Sequence, residues 1–139
     1  MRLTKIAATA LIAAASAGIA ALAGAAGPPP PPSYTAAQAD QGETAFENDC
    51  AQCHGANLEG YSGPALTGPQ FTEAYGSLNA LLGFISQSMP LDAPGSLSHQ
   101  DYVAIVAFIL NKNGVAPGTT PLTFKAAMAS KLAIWNSKQ

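Results

Sequence analysis

The sequence predicts an all-α fold of three to five helices. Three observations lead there. Apolar residues recur at helical spacing in several segments, capping residues stand at the ends of those segments, and no βαβ pattern surrounds the chain's one cysteine pair. The length of 139 residues suits one domain, or one domain with appendages.

The segments follow in chain order. Thr35 is a good N-cap, and Gln38 three residues on completes a capping-box pattern. Between Ala36 and Asp49 there are few strand formers, and Ala39, Glu43, Phe46 and Glu47 fall at helical spacing, so this stretch is the first helix. Gly42 in its interior costs about 1 kcal/mol relative to Ala. The close approach of a second helix is the best physical reason to tolerate it. Residues 55 to 76 read as a long loop, interrupted by Gly55, Gly60, Gly63, Pro64, Gly68, Pro69 and Gly76. A loop of that length inside a compact domain needs an organiser, and a bound cofactor is one.

Ser77 is placed to cap a helix from Leu78 to about Ser88, with Leu78, Leu81, Leu82 and Ile85 on its apolar face. It must stop near Met89, because Pro90 disfavours the α region for the residue before it. Ser98, with Asp101 three residues later, opens another helix. Its stretch from Tyr102 to Leu110 is apolar almost all round. Val103, Ile105, Val106 and Ile109 would also suit a buried strand, but Ser98 and Asn113-Gly114 mark helix boundaries. Beyond Val115 the chain becomes polar and Pro-rich. A last helix is expected from Leu122 or Thr123 to Ile134, with Phe124, Met128, Leu132 and Trp135 along one side.

The ends and the charge bound the setting. Met1 to Lys5 is basic, an apolar run follows from Ile6 to about Ala23, and small residues at Ala21-Leu22-Ala23 and Ala23-Gly24-Ala25 offer cleavage sites. This reads as a signal peptide over 1–23, hence a periplasmic or otherwise exported protein with no membrane contact after cleavage. Left uncleaved, the run of about 18 apolar residues would serve as an N-terminal membrane anchor. The linker 24–33 holds five consecutive prolines, a polyproline II spacer. Only 10% of residues are charged. Six scattered Lys and Arg form no basic stripe, which argues against nucleic acid as a partner. Signal removal leaves four Lys against eight Asp and Glu, so a partner should offer a basic or neutral surface.

One motif carries chemistry. Cys50-Ala51-Gln52-Cys53-His54 is the C-x-x-C-H attachment signature of c-type haem, and it holds both cysteines of the chain. Two thiols can form thioethers on one edge of a porphyrin, and the adjacent imidazole is then held against the iron. A thioredoxin-like pair lacks its βαβ context. A zinc site completed by His99 lacks a second closely spaced ligand pair. A disulfide between Cys50 and Cys53 would close a small, strained loop. The reading is one covalent haem c, bound through Cys50 and Cys53, with His54 as an iron ligand. The opposite face of the iron could be taken by Met89, His99, Met128 or nothing.

Residues 34 to 114 resemble a class I c-type cytochrome. The matching pieces are the helix with Gly42 and Phe46, Cys50 to Gly55, Gly63-Pro64-Ala65-Leu66, Ser88-Met89-Pro90 and the apolar helix after Ser98. The resemblance implies a cytochrome c-like fold around one covalently attached haem, with Met89 as second ligand to the metal. It implies that the Pro64 carbonyl bonds the ligating imidazole, that Leu66 and Phe71 line the haem, and that Gly42 and Phe46 cross the last haem-domain helix near Tyr102, Ile105 or Phe108. A closed His54/Met89 site leaves outer-sphere transfer of single electrons, so the chain is expected to be a carrier and not an enzyme. The pieces also look similar to cytochromes associated with quinoprotein dehydrogenases. The implied partners are a periplasmic dehydrogenase and a terminal oxidase or another cytochrome. Two alternatives stay open: a five-coordinate gas sensor or peroxidase, and a cytochrome subunit tightly bound to a dehydrogenase. The domain reading is therefore haem domain 34–114 and C-terminal extension 115–139.

Overall fold

The computed structural model describes residues 33–135. The predicted signal peptide, all of the linker but Ser33, and residues 136–139 lie outside the described residues. Six helical segments follow in order: α1 (Ala36–Asp49), α2 (Ala51–His54), α3 (Pro69–Ala74), α4 (Leu78–Ser88), α5 (His99–Lys112) and α6 (Phe124–Ala129). The count exceeds five because α2 and α3 are short turns of four and six residues. Among the described residues there is no strand, only an isolated antiparallel bridge between Ser77 and Ala133. None of the described helices is long and apolar enough to cross a membrane.

The central contact is α1 against α5. It opens with the expected capping box: Thr35 Oγ1 accepts from Gln38 N, and the Gln38 side chain accepts from Thr35 N. The helices approach so closely at Gly42 that a Cβ there would stand 1.8 Å from the Ala104 carbonyl oxygen and 2.9 Å from Phe108 Cβ. Glycine is what the crossing requires. Phe46 packs on Phe108 one turn further, with ring centroids 5.2 Å apart. Every residue of α5 from Tyr102 to Leu110 is buried, since α1, α4 and α6 surround it. Each large side chain so enclosed contributes on the order of 1.5–3 kcal/mol by leaving water. The all-round apolar pattern thus reflects a central helix.

Three local expectations change. The 55–76 stretch contains α3, started by Pro69 at its first turn, where a missing N–H costs nothing. Ser77 occupies the N-cap position of α4 but makes no capping bond; its hydroxyl bonds Asn79 Oδ1 at 2.8 Å instead. The last helix ends at Ala129, five residues short of Ile134. There the backbone turns extended at Ser130, because Ser130 O and Leu132 O accept from Asn79 and Leu78 N–H while Ile134 N–H donates to Gly76 O. Pairing with the start of α4 outweighs helical propensity.

Residues 115–135 form a strap around the domain. The Tyr34 hydroxyl donates to Val115 O, and Gly118 N–H donates to Tyr34 O at 2.7 Å. Gln38 then holds Leu122 by both its backbone groups, its amide donating to Leu122 O and accepting from Leu122 N, each at 2.8 Å. The strap continues through α6, which packs on α4 and α5, and ends with Trp135 Nε1 donating to Tyr75 O at 2.8 Å.

Candidate haem-attachment site

The motif is a single helical turn at the end of α1. Cys50 N–H bonds Phe46 O, closing α1, while Cys53 and His54 N–H both turn back to Cys50 O at 3.1 and 3.0 Å. Three-residue spacing on a helical turn sets Cys50 and Cys53 on one face. Both thiols are free; Cys50 is half-buried and Cys53 exposed. Burial, with the charges of Asp49 and Cys53 adding to it, pushes the Cys50 thiol up to about 11.

His54 is buried, and its Nδ1 lies 2.7 Å from Pro64 O. A carbonyl can only accept, so Nδ1 donates to it, and Nε2 is the ring nitrogen left to bind a metal. Gly63 makes room for this ring: a Cβ there would sit 2.9 Å from His54 Cε1 and 3.0 Å from Nδ1. The loop after the motif is tied back onto it. Gly60 N–H donates to His54 O, and Tyr61 and Gly63 N–H both donate to Cys53 O. A helical turn that would otherwise end with open carbonyls is closed by its own following loop. The donor set fits c-type haem: two free thiols three residues apart on one helical turn, beside an imidazole whose Nδ1 is held by a carbonyl.

Leu58 belongs to the same loop and has φ 64° although it is fully buried. Such a backbone costs a bulky residue on the order of 1–3 kcal/mol. Burial of the side chain and the Leu66 N–H bond to Leu58 O hold it there. Asn113 completes the arrangement from the far end of α5, donating to Leu66 O at 2.9 Å and to Ile109 O at 2.8 Å. Leu66 is half-buried against the core. Phe71 on α3 is buried, with Tyr75 and Trp135 rings 5.4 and 5.9 Å from its own.

Met89 stands at the C-cap of α4 with extended backbone, φ −126° and ψ 153°, as the proline after it requires. It is half-buried and packs on the core. The other two candidates sit elsewhere. Met128, on α6, reaches toward Gly83 of α4 and is partly exposed. His99 is exposed at the first position of α5 and stacks on Phe124, ring centroids 3.8 Å apart. Sequence reading missed Leu58, Asn113 and the hydroxyl of Tyr102, which donates to Met89 O at 2.8 Å. A buried leucine and a buried tyrosine look like ordinary core in a sequence. Asn113 reads only as a helix stop.

An all-helical fold with this donor set defines a class I c-type cytochrome. The family model for cytochrome c oxidase, cbb3-type, subunit III matches residues 37–109, and the chain belongs to that family. Membership makes haem c the cofactor and electron transfer the role. Among solved structures, the chain is similar to the sulfane dehydrogenase SoxCD from Paracoccus pantotrophus, with 29% identity and a TM-score of 0.55. The likeness covers 65% of this chain and 50% of that one, so the chain spans about half the length of the structure it matches. A search of curated proteins found no match.

Proposed function

We propose that this chain is an exported mono-haem electron carrier whose iron is bound by His54 and Met89. Haem c, when bound, supplies a one-electron iron couple. Cys50 and Cys53 would hold it covalently, and His54 would present Nε2, with Pro64 fixing the ring through Nδ1. Leu66 and Phe71 would wall the group off from water. The observation that carries the reading is Met89, a thioether residue half-buried on the core in an extended segment at the end of α4. A thioether ligand raises the reduction potential, and a filled sixth position leaves only electron transfer at the haem edge.

Absorption spectra of the reduced protein with and without carbon monoxide test the reading. Slow or negligible binding at neutral pH is expected. Rapid and complete binding overturns it and favours a five-coordinate sensor or peroxidase.

The proposed donor is a periplasmic dehydrogenase, and the acceptor a terminal oxidase or another cytochrome. Similarity to part of a sulfane dehydrogenase structure supports a dehydrogenase on the donor side. It equally favours the second reading, a cytochrome subunit held tightly by such an enzyme. Copurification of a stoichiometric dehydrogenase would select that second reading over a free carrier. The basic and apolar N-terminal segment supports export, which fractionation of cells expressing the full chain checks.

A further inference from the structure

The segment from Met89 to Ser98 joins α4 to α5, and little within it holds it in place. Residues 91 to 96 are all exposed, Leu91 at 78%. Its internal bonds are the turn contacts Ala93 N to Pro90 O and Ser96 N to Ala93 O, plus a longer one from Gly95 N to Met89 O at 3.4 Å. Beyond these, Met89 N–H closes the end of α4 on Ile85 O.

Tyr102 reaches this segment from below. It sits on α5, 2% exposed, at the start of nine consecutive buried residues. Its hydroxyl donates to Met89 O at 2.8 Å and accepts from Leu97 N–H at 3.4 Å. One phenol oxygen, using both its donor and an acceptor site, thus ties the first residue of the segment to the ninth. For filling the core alone, Phe would occupy the same space without burying a hydroxyl, which is tolerated only when bonded.

We infer that Tyr102 is the positioning residue for Met89: its hydroxyl closes the 89–97 segment and so holds the thioether on the iron. The inference rests on Met89 being the axial ligand, as proposed above. Tyr102 touches no cofactor in this role and acts only through the backbone of the segment it pins.

The test compares holo wild type, Tyr102→Phe, and Ile109→Val, a core change that lowers stability without touching the segment. In ferric wild type, the weak red charge-transfer band of methionine-ligated haem is expected. Tyr102→Phe should weaken that band, lower the reduction potential, and speed carbon monoxide binding about five- to tenfold, the factor expected from losing the 2.8 Å bond to Met89 O together with the long, weak one from Leu97 N–H. Ile109→Val should lower Tm while leaving band, potential and binding rate unchanged. Wild type without the band would overturn Met89 as ligand. Wild type with the band and a Tyr102→Phe protein indistinguishable from Ile109→Val would overturn the role of Tyr102 alone.

A second measurement needs no variant. In holo wild type the Leu97 amide should be protected from hydrogen exchange, and its opening rate should match the limiting rate of carbon monoxide entry. Exchange as fast as that of the exposed Asp92 amide refutes the pinning.

Discussion

The two residues proposed to bind iron from opposite sides are held in very different ways. His54 lies in a helical turn whose carbonyls are capped by the following loop. Its ring is fixed by Pro64 O on one nitrogen and by the backbone of Gly63 alongside. Met89 hangs from the end of a helix on a segment whose middle is exposed, and a single tyrosine hydroxyl bridges the two ends of that segment. Several independent contacts would have to break before the histidine moved, but only a few before the methionine did. Any ligand loss should therefore start on the methionine side, and the potential should be most sensitive there.

Substitutions can break this asymmetry or sharpen it. The largest change is expected from Met89→Ala, which should lower the reduction potential and admit carbon monoxide to the iron. Met128→Leu should leave both nearly unchanged, as redox titration and flash photolysis would show. On the histidine side, Gly63→Ala forces a methyl into the imidazole and should cost about 1–3 kcal/mol, read as a lower Tm and a poorer yield of haem-loaded protein. If Gly63→Ala altered carbon monoxide binding more than Met89→Ala did, the asymmetry would be wrong. Asn113→Ala should cost about 1–2 kcal/mol by leaving two carbonyls with fewer partners, and should affect thermal stability more than potential. The smallest effect concerns the haem-free chain. Its folded Cys50 thiol is raised from 9.0 to about 11, so between those values the folded state binds more protons than the unfolded state. The contribution is complete below about pH 9 and is lost as the pH rises to about 11. Alkylation of the haem-free protein should accordingly modify exposed Cys53 before half-buried Cys50, with the difference narrowing in alkali.

What could be read from the sequence was mostly local. Thr35 with Gln38, Ser98 with Asp101, and Pro90 after Met89 set the ends of α1, α5 and α4 through contacts spanning a few residues. Cys50 to His54 announced haem because its chemistry is contained in five adjacent residues. Gly42 pointed to a helix crossing, since little else excuses a glycine there. What escaped depends on distant partners. Gln38 and Leu122 bond across a separation of 84 residues, and nothing in either neighbourhood signals the other. Trp135 was expected on a helix but lies past its end, because the chain there pairs with Ser77. Tyr102 was legible as core and not as polar, since its hydroxyl matters only once Met89 and Leu97 are brought above it.

Gln38 also bears on how the molecule can be cut. Its side chain completes the cap of α1 and, with the same amide, receives Leu122 from the strap. A fragment ending at Gly114 would keep every residue of the haem motif, yet it would strip the cover that buried Leu122 and Ala127 provide and leave one face of that amide to water. The stretch that resembles a cytochrome is thus bonded to the strap through both Tyr34 and Gln38. Anyone fusing or transplanting this haem unit should carry the strap with it.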